Sequence, residues 1–372
     1  MILQVIFDDQ FGNYVLEQFK NYRDRTRIVL LLYSDEKTKY IRDIPQEDIV
    51  FYGSPTYNDL LAHLSKYKAV IVHGLFSFIQ YDIIRHLPST VKLAWVFWGA
   101  EIYTRQDIYT TYLARYTNIA YRIKQCKDVF LRAKMEIHEV PRDIFSRVDF
   151  MLGSSLELFE DVKAYTGNTN MKHLMYSYFT LEHLIGQDLL NQTTNGNNIL
   201  LGNSATPDNN HLDMMLQLKR IGVPEKSKII TPLSYGIPWV RQIIYKFGRF
   251  LFGKQFYPLL EFLPRNEYNK LLQSCSVFIT NHHRPNAFGN VLTALWLGAR
   301  VYSSKDNVQT KFLQRLGLHI NIIETDLVAN RVDKYAALPD YEREENRTII
   351  SGIYGQKNMR RNIETIIRTL DA

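Results

Sequence analysis

The chain has 372 residues, 46% hydrophobic and 22% charged, which excludes a disordered or fibrous protein and allows two domains with ordinary cores. Lys+Arg 45 against Asp+Glu 38 gives a net charge of +7 and a pI near 9.1, pointing to an anionic partner: nucleic acid, an acidic membrane or a phosphorylated substrate. Only Cys126 and Cys275 occur, so neither a disulfide framework nor a Cys-rich metal site is expected.

The first residues, Met1 to Asp9, carry acidic side chains and no basic leader, and no secretion signal is expected. Ile2 to Phe7 reads as a strand, Tyr14 to Phe19 as part of a helix, and Arg27 to Tyr33 as a second strand. Lys68 to Gly74 and Lys92 to Gly99 are two further buried strands, which indicates a parallel sheet covered on both faces. The charge-free stretch Ala69 to Tyr81 is far shorter than the roughly 20 apolar residues that span a bilayer. Residues 104–140 read as a helical excursion from the sheet, and Val148 to Ser154 returns to strand. The first domain is placed at 1–190. A cytoplasmic compartment is expected, in which the sequons at Asn191 and Asn346 stay unmodified.

Asn191 to Asn198 reads as a linker, after which the α/β pattern restarts. Strands are expected at Ile199–Gly202, Ser227–Pro232, Phe256–Leu263, Ser276–Thr280, Arg300–Ser303 and His319–Ile323, with helices between them. This second doubly wound domain is placed at 198–355. A C-terminal helix follows in 356–372 and is expected to pack back on the first domain. No G-x-G-x-x-G occurs, which disfavours a dinucleotide cofactor. Gly248 to Lys254 spells G-x-x-x-x-G-K, but Gln255 follows where a P-loop needs Ser or Thr. Two βα turns attract attention instead. Gly202-Asn203-Ser204 ends a strand ahead of a helix, where open α/β sheets bind ligands, and reads equally well as an ordinary turn with Asn209 or Asn210 capping that helix. Asn281 to Asn290 carries Arg284 and starts a helix at Gly289, a setting that suits a diphosphate. His282 and His283, adjacent on a loop, do not make a metal site.

With these features on one chain, the sequence resembles the TDP-N-acetylfucosamine:lipid II N-acetylfucosaminyltransferases, glycosyltransferase family 56. The matching stretches are Val96 to Tyr103, Leu201 to His211, Pro232 to Gly236, and Arg284 to Gly289 with Gly298 beyond. The resemblance implies a GT-B-like fold, two Rossmann-like doubly wound domains facing a cleft, and metal-independent transfer without a cofactor. It implies a nucleotide-sugar donor of TDP type in the second domain. Gly202, Asn203, Ser204 and Asn210 would line that site, Tyr235 and Glu261 would hold the nucleoside, and Arg284, Asn286, Gly289 and Asn290 would lie near the diphosphate. The acceptor would be a polyprenyl-diphosphate-linked saccharide in surface polysaccharide synthesis. Retaining enzymes of the E-x7-E type place glutamates around a similar Phe-Gly, whereas Asn286 and Thr293 or Ala294 stand here.

Deprotonating an acceptor hydroxyl needs a base within hydrogen-bond reach. Glu101, just past a strand end, is the leading candidate and Asp9 the second; each reads alternatively as a helix cap. His73 reads as a sheet-edge histidine. The positive charge is local. Arg105 to Lys134 holds seven basic residues against two acidic, and Trp239 to Phe256 holds four against none, so the rest of the chain is slightly acidic. Such clustering is unlike the continuous basic groove of a nucleic-acid binder, which is not expected as the partner. The first stretch, with Arg115, Arg122, Lys124, Lys127 and Arg132, is assigned to an anionic membrane surface or a lipid diphosphate. The enzyme is thus expected to be peripheral on the inner face of the cell membrane. The alternatives are a GT-B transferase with another nucleotide-sugar and a soluble acceptor, or a basic nucleic-acid-binding protein.

Overall fold

The computed structural model describes residues 1–9, 11–33, 38–127 and 139–372, with the side chains of Gln106, Asp107, Lys127 and Arg265 left outside that description. They form two compact units, the first of Met1–Arg105, Ile137–Thr180 and Tyr354–Ala372, the second of Gln106–Glu136 and Leu181–Ile353.

The first unit is built on a parallel sheet of seven strands among the described residues: β1 (Ile2–Ile6), β2 (Thr26–Leu32), β3 (Ile49–Phe51), β4 (Ala69–His73), β5 (Lys92–Val96), β6 (Phe150–Gly153) and β7 (Lys172–Met175). Their order is β3-β2-β1-β4-β5-β6-β7. β1 and β4 are apolar at nearly every position and wholly buried, as strands covered on both faces must be. The edge strands β3 and β7 were absent from the sequence expectation. They are three and four residues long, and Lys172-His173 breaks the apolar run in β7. The C-terminal helix Gln356–Asp371 buries Met359, Ile363, Ile366, Ile367 and Leu370, a stripe at helical spacing. Ile363, Ile366, Ile367 and Leu370 enter the same core as Ile2, Ile6, Val15 and Leu30.

The second unit repeats the plan with β8 (Asn198–Leu201), β9 (Ile229–Pro232), β10 (Phe256–Leu259), β11 (Cys275–Thr280), β12 (Arg300–Ser303) and β13 (Ile320–Ile322). These six parallel strands run in the order β10-β9-β8-β11-β12-β13. All six were expected; β10 stops four residues early, at Leu259. The helix Pro238–Phe252 turns Val240, Ile244, Gly248 and Phe252 inward. The G-x-x-x-x-G-K run is thereby explained: Gly248 lies inside that helix, packed so closely that a Cβ would meet the Phe256 ring at 2.5 Å, and Gly253 ends it at φ 52°.

One assignment differs from the sequence reading. The excursion was counted with the first domain, yet its described residues 106–127 belong to the second unit. The physical reason lies in its anchors. Asp213 accepts from Tyr116 N–H at 2.8 Å, Thr117 N–H at 2.9 Å and Thr117 Oγ1 at 2.7 Å. Asn210 Oδ1 accepts from Ala114 N–H at 2.8 Å, and Tyr109 donates to Asp208 at 3.3 Å.

Candidate functional site

In both sheets the strand order reverses between the first strand and its crossover neighbour, and ligands of open α/β sheets bind beyond the strand ends at that reversal. In the second unit this point lies between β8 and β11. The β8 turn is fixed from within. Gly202 sits at φ 68°, and a Cβ there would meet His211 Nε2 at 2.4 Å and Asn209 Oδ1 at 2.7 Å. Asn209 accepts from Asn203 N–H at 2.9 Å and donates to Ser204 Oγ at 3.0 Å and Thr206 Oγ1 at 2.9 Å. Asn203 Nδ2 donates to Tyr235 Oη at 3.3 Å, while its buried Oδ1 meets no partner among the described residues. Asn203 and Tyr235, assigned to one ligand from sequence, are therefore brought together.

Asn210 has a different place. It is wholly buried at φ 51°, and its amide donates to Asn281 O at 2.8 Å and Tyr112 O at 3.1 Å. It occupies the N-cap position of helix His211–Ile221 without a side-chain cap bond. Its polar atoms tie the β8 turn, the β11 turn and the excursion together, so it shapes the site instead of presenting a free group to it.

The β11 turn is organised around Asp208, to which the sequence reading assigned no role. Asp208 is fully buried. Arg284 Nη2 lies 2.6 Å from its Oδ2, and Asn286 Nδ2 donates to the same oxygen at 3.1 Å. Burial would raise this carboxyl, but Arg284 and His282 beside it, with hydrogen bonds from Thr206 and Asn286, hold it at about 2. Asn286 Oδ1 accepts from Ala287 N–H at 2.7 Å, and Ala287 at φ 57° leads into helix Phe288–Leu297. That helix begins with no side-chain cap and no acidic residue in its first turn. Gly289 leaves open space where a Cβ would stand. An uncapped helix start beside a guanidinium is suited to an anion. Asn290 donates to Tyr268 Oη at 3.2 Å, and Glu261 is exposed on the loop after β10. Burial pushes His211 down to about 3 and His282 down to about 4, so both rings are neutral near pH 7. Among the described residues, no three or more His, Cys, Asp or Glu side chains are grouped as metal ligands.

In the first unit the two base candidates part company. Glu101 lies in the short helix Ala100–Tyr103 after β5 and is only 2% exposed. Its carboxylate accepts from Trp95 Nε1 and Trp98 N–H, both at 3.2 Å, so it braces the strand end and is no surface cap. Burial, partly offset by those bonds, raises its pKa to about 7. Asp9, at the end of β1, is partly exposed and accepts from Phe11 N–H at 2.6 Å and Gly12 N–H at 3.1 Å. Both bonds fall on Oδ1, so Oδ2 carries none among the described residues. Burial raises its pKa despite the backbone bonds. His73 Nδ1 lies 2.8 Å from Tyr178 Oη and Nε2 lies 3.1 Å from Gln4 Oε1, and burial lowers it to about 3. It is a satisfied, neutral sheet-edge histidine.

Of the basic residues assigned to a membrane, Arg115 and Arg122 are exposed on helix Arg115–Lys127 and Lys124 is partly exposed. Arg132 and the Lys127 side chain lie outside the described residues.

Residues 161–337 match the family model described as 4-alpha-L-fucosyltransferase glycosyl transferase group 56. All the second-unit residues named above from Gly202 to Asn290 fall in that segment, whereas Asp9, Glu101 and the helix Arg115–Lys127 do not. No curated protein sequence matches the chain. Among solved structures it is similar to a sucrose-phosphate synthase from Thermosynechococcus elongatus, with TM-score 0.62, 8% identity, and 99% and 98% of the two chains covered. It is also similar to Anabaena Alr3699/HepE in complex with UDP and glucose, with TM-score 0.61, 12% identity, and 99% of each chain covered. A third is an Escherichia coli protein described as trehalose-6-phosphate bound with UDP-2-fluoro glucose, with TM-score 0.60, 10% identity, and 99% and 98% covered. At such identities the likeness concerns the fold.

Proposed function

Because the chain is a glycosyltransferase of GT-B fold whose residues 161–337 carry the group 56 match, we propose that it transfers a deoxyamino sugar from a TDP-type donor to a polyprenyl-diphosphate-linked saccharide. The reading is supported by the fucosyl chemistry in the family description and by the nucleotide and sugar ligands of the two neighbours described with them. The observation that carries it is the second unit's reversal point, where the Asp208-held Arg284 stands next to the uncapped helix at Phe288.

In this reading the donor diphosphate is met by Arg284 and by the helix start at Gly289 and Asn290. Asn203 and Tyr235 contact the rest of the donor, with Asn203 Oδ1, which has no partner among the described residues, accepting one of its donors. The acceptor hydroxyl oxygen forms a bond to the anomeric carbon as the bond from that carbon to the diphosphate breaks. The hydroxyl proton passes to a carboxylate base, and the negative charge leaves on the diphosphate. Asp9 suits the base better than Glu101, because its Oδ2 carries no hydrogen bond among the described residues and Glu101 is enclosed by Trp95 and Trp98. The protein works at the inner face of a membrane, where its acceptor is anchored, and helix Arg115–Lys127 supplies the basic surface.

Calorimetry with TDP and with UDP on the wild type and on Arg284→Ala tests the donor site. TDP binding that weakens at least about tenfold in the variant is expected, since charged hydrogen bonds contribute roughly 1.5–3 kcal/mol. Binding of neither nucleotide would sink the assignment.

A further inference from the structure

The helix Arg115–Lys127 is amphipathic in an unusual sense. Its inward positions include Thr117 and Tyr121, which are buried, with Tyr121 6.2 Å from the Trp239 ring. Its outward positions recur at 115, 116, 119, 122, 123 and 126. A helix on a water-facing surface normally turns polar residues outward. Here Tyr116 is 48% exposed, Ile119 49% and Ile123 53%, with Arg115 and Arg122 interleaved. The helix carries four basic residues and no acidic one. Asp213 holds its first turn rigidly to the unit through the Tyr116 and Thr117 N–H groups, so the apolar stripe is presented outward by a fixed element. The neighbouring helix Pro238–Phe252 continues the surface. Its Ile243 lines the same small cavity as Ala120 and is itself exposed, Lys246 and Arg249 are exposed, and this helix too has no acidic residue.

We propose that this outward face docks on an anionic phospholipid bilayer, with Tyr116, Ile119 and Ile123 entering the boundary between headgroups and acyl chains and Arg115 and Arg122 meeting lipid phosphates. Apolar insertion combined with charged side chains that are all basic on the two helices matches how interfacial helices bind. A second copy of the chain fits less well. It would bring like charges together, and three half-exposed side chains fall well short of the roughly 1,200 Å² that a stable protein interface buries. The inference rests on the membrane part of the function proposed above and is independent of the donor site.

The test uses the full chain and sedimentation with vesicles of phosphatidylcholine, with or without phosphatidylglycerol. Cys126 is exposed on the same face and Cys275 is buried, so a polarity-sensitive fluorophore can be placed at Cys126 alone. The wild type is expected to sediment with the anionic vesicles only, with a blue shift of the Cys126 probe. The double variant Ile119→Ser, Ile123→Ser keeps every charge and is expected to lose about tenfold or more in vesicle affinity, from the apolar area no longer buried. Its circular dichroism and its TDP binding should be unchanged. Wild-type sedimentation by that variant would overturn the insertion of the stripe while leaving charge-driven membrane binding standing. Failure of the wild type to bind any vesicle would overturn both, with TDP calorimetry still reporting separately on the donor site. Loss of a dimer in the serine variant, seen by sedimentation velocity, would assign the stripe to self-association and overturn the proposal.

Discussion

Asp208 and Glu101 are both enclosed carboxyls, and their surroundings drive them in opposite directions. Asp208 has Arg284 at 2.6 Å and stays ionised to about 2. Its folded pKa lies below the unfolded value, so its stabilisation is present above roughly pH 4 and is lost as pH falls through 2, a change of about 2 kcal/mol. Asp208→Asn should abolish that acid dependence. It should also cost about 3–5 kcal/mol near neutral pH by leaving Arg284 enclosed without its counter-charge, which urea denaturation measures. Burial of Glu101 is offset only in part by its hydrogen bonds from Trp95 and Trp98, and it is raised to about 7. Its contribution is full below the unfolded value near 4.5 and is lost as pH rises through 7, about 3 kcal/mol in all. Glu101→Gln should therefore flatten the stability profile between about pH 5 and pH 8. If Asp9 is the base, Asp9→Asn should lower kcat by about 10²–10⁴ while Glu101→Gln stays within a few-fold of wild type. The opposite split would return the role to Glu101. Both carboxylates stood out in the sequence because they follow strand ends. Their hydrogen-bond donors are Trp95 and Trp98 in one case and Phe11 and Gly12 in the other, which spacing does not reveal.

At the scale of elements, the described part of the excursion is held by a run of three polar residues, Asp208, Asn210 and Asp213. Asp213 receives two backbone N–H groups at the start of helix Arg115–Lys127, the work of an N-cap done by a distant residue. Asp213→Ala should cost about 1–2 kcal/mol locally and raise amide exchange across 115–127 while leaving that of β8 and β11 unchanged. Mass spectrometry of exchanged peptides reads this directly, and uniform exchange across both regions would argue against a local role. Central strands were legible because burial on both faces demands continuous apolar runs. The edge strands β3 and β7 were not, since a short strand with one neighbour needs no such run.

For the whole molecule, chain order and spatial order diverge twice. The helix that closes the first unit's core comes from the far end of the sequence, and residues 106–127 leave the first unit to join the second before the chain returns. Ile366 is fully buried beside Ile2 and Leu30, so Ile366→Ala should destabilise the first unit by about 2–5 kcal/mol. Nucleotide binding by the second unit should survive in that variant. Limited proteolysis with calorimetry on the same samples separates the two, and parallel loss of both would mean that the units do not behave independently.

Sequence by itself determined the fold class, the central strands, the two turns after β8 and β11 and the family resemblance. These are local properties: apolar runs, turn residues and motif spacing repeat wherever the same backbone is built. Tertiary structure decided which polar groups in those turns are committed. Asn210 is consumed in holding three segments, Asp208 emerges as the anchor of Arg284 and Asn286, and Glu101 is enclosed where Asp9 has one oxygen without a hydrogen bond among the described residues. The Asn210 and Asp208 outcomes depend on partners tens of residues away in the chain, brought near by sheet order, whereas Glu101 and Asp9 are set by the local path of the chain past a strand end. The apolar stripe on Arg115–Lys127 follows the same logic: its residues are plain in the sequence, but only packing shows which face is turned outward.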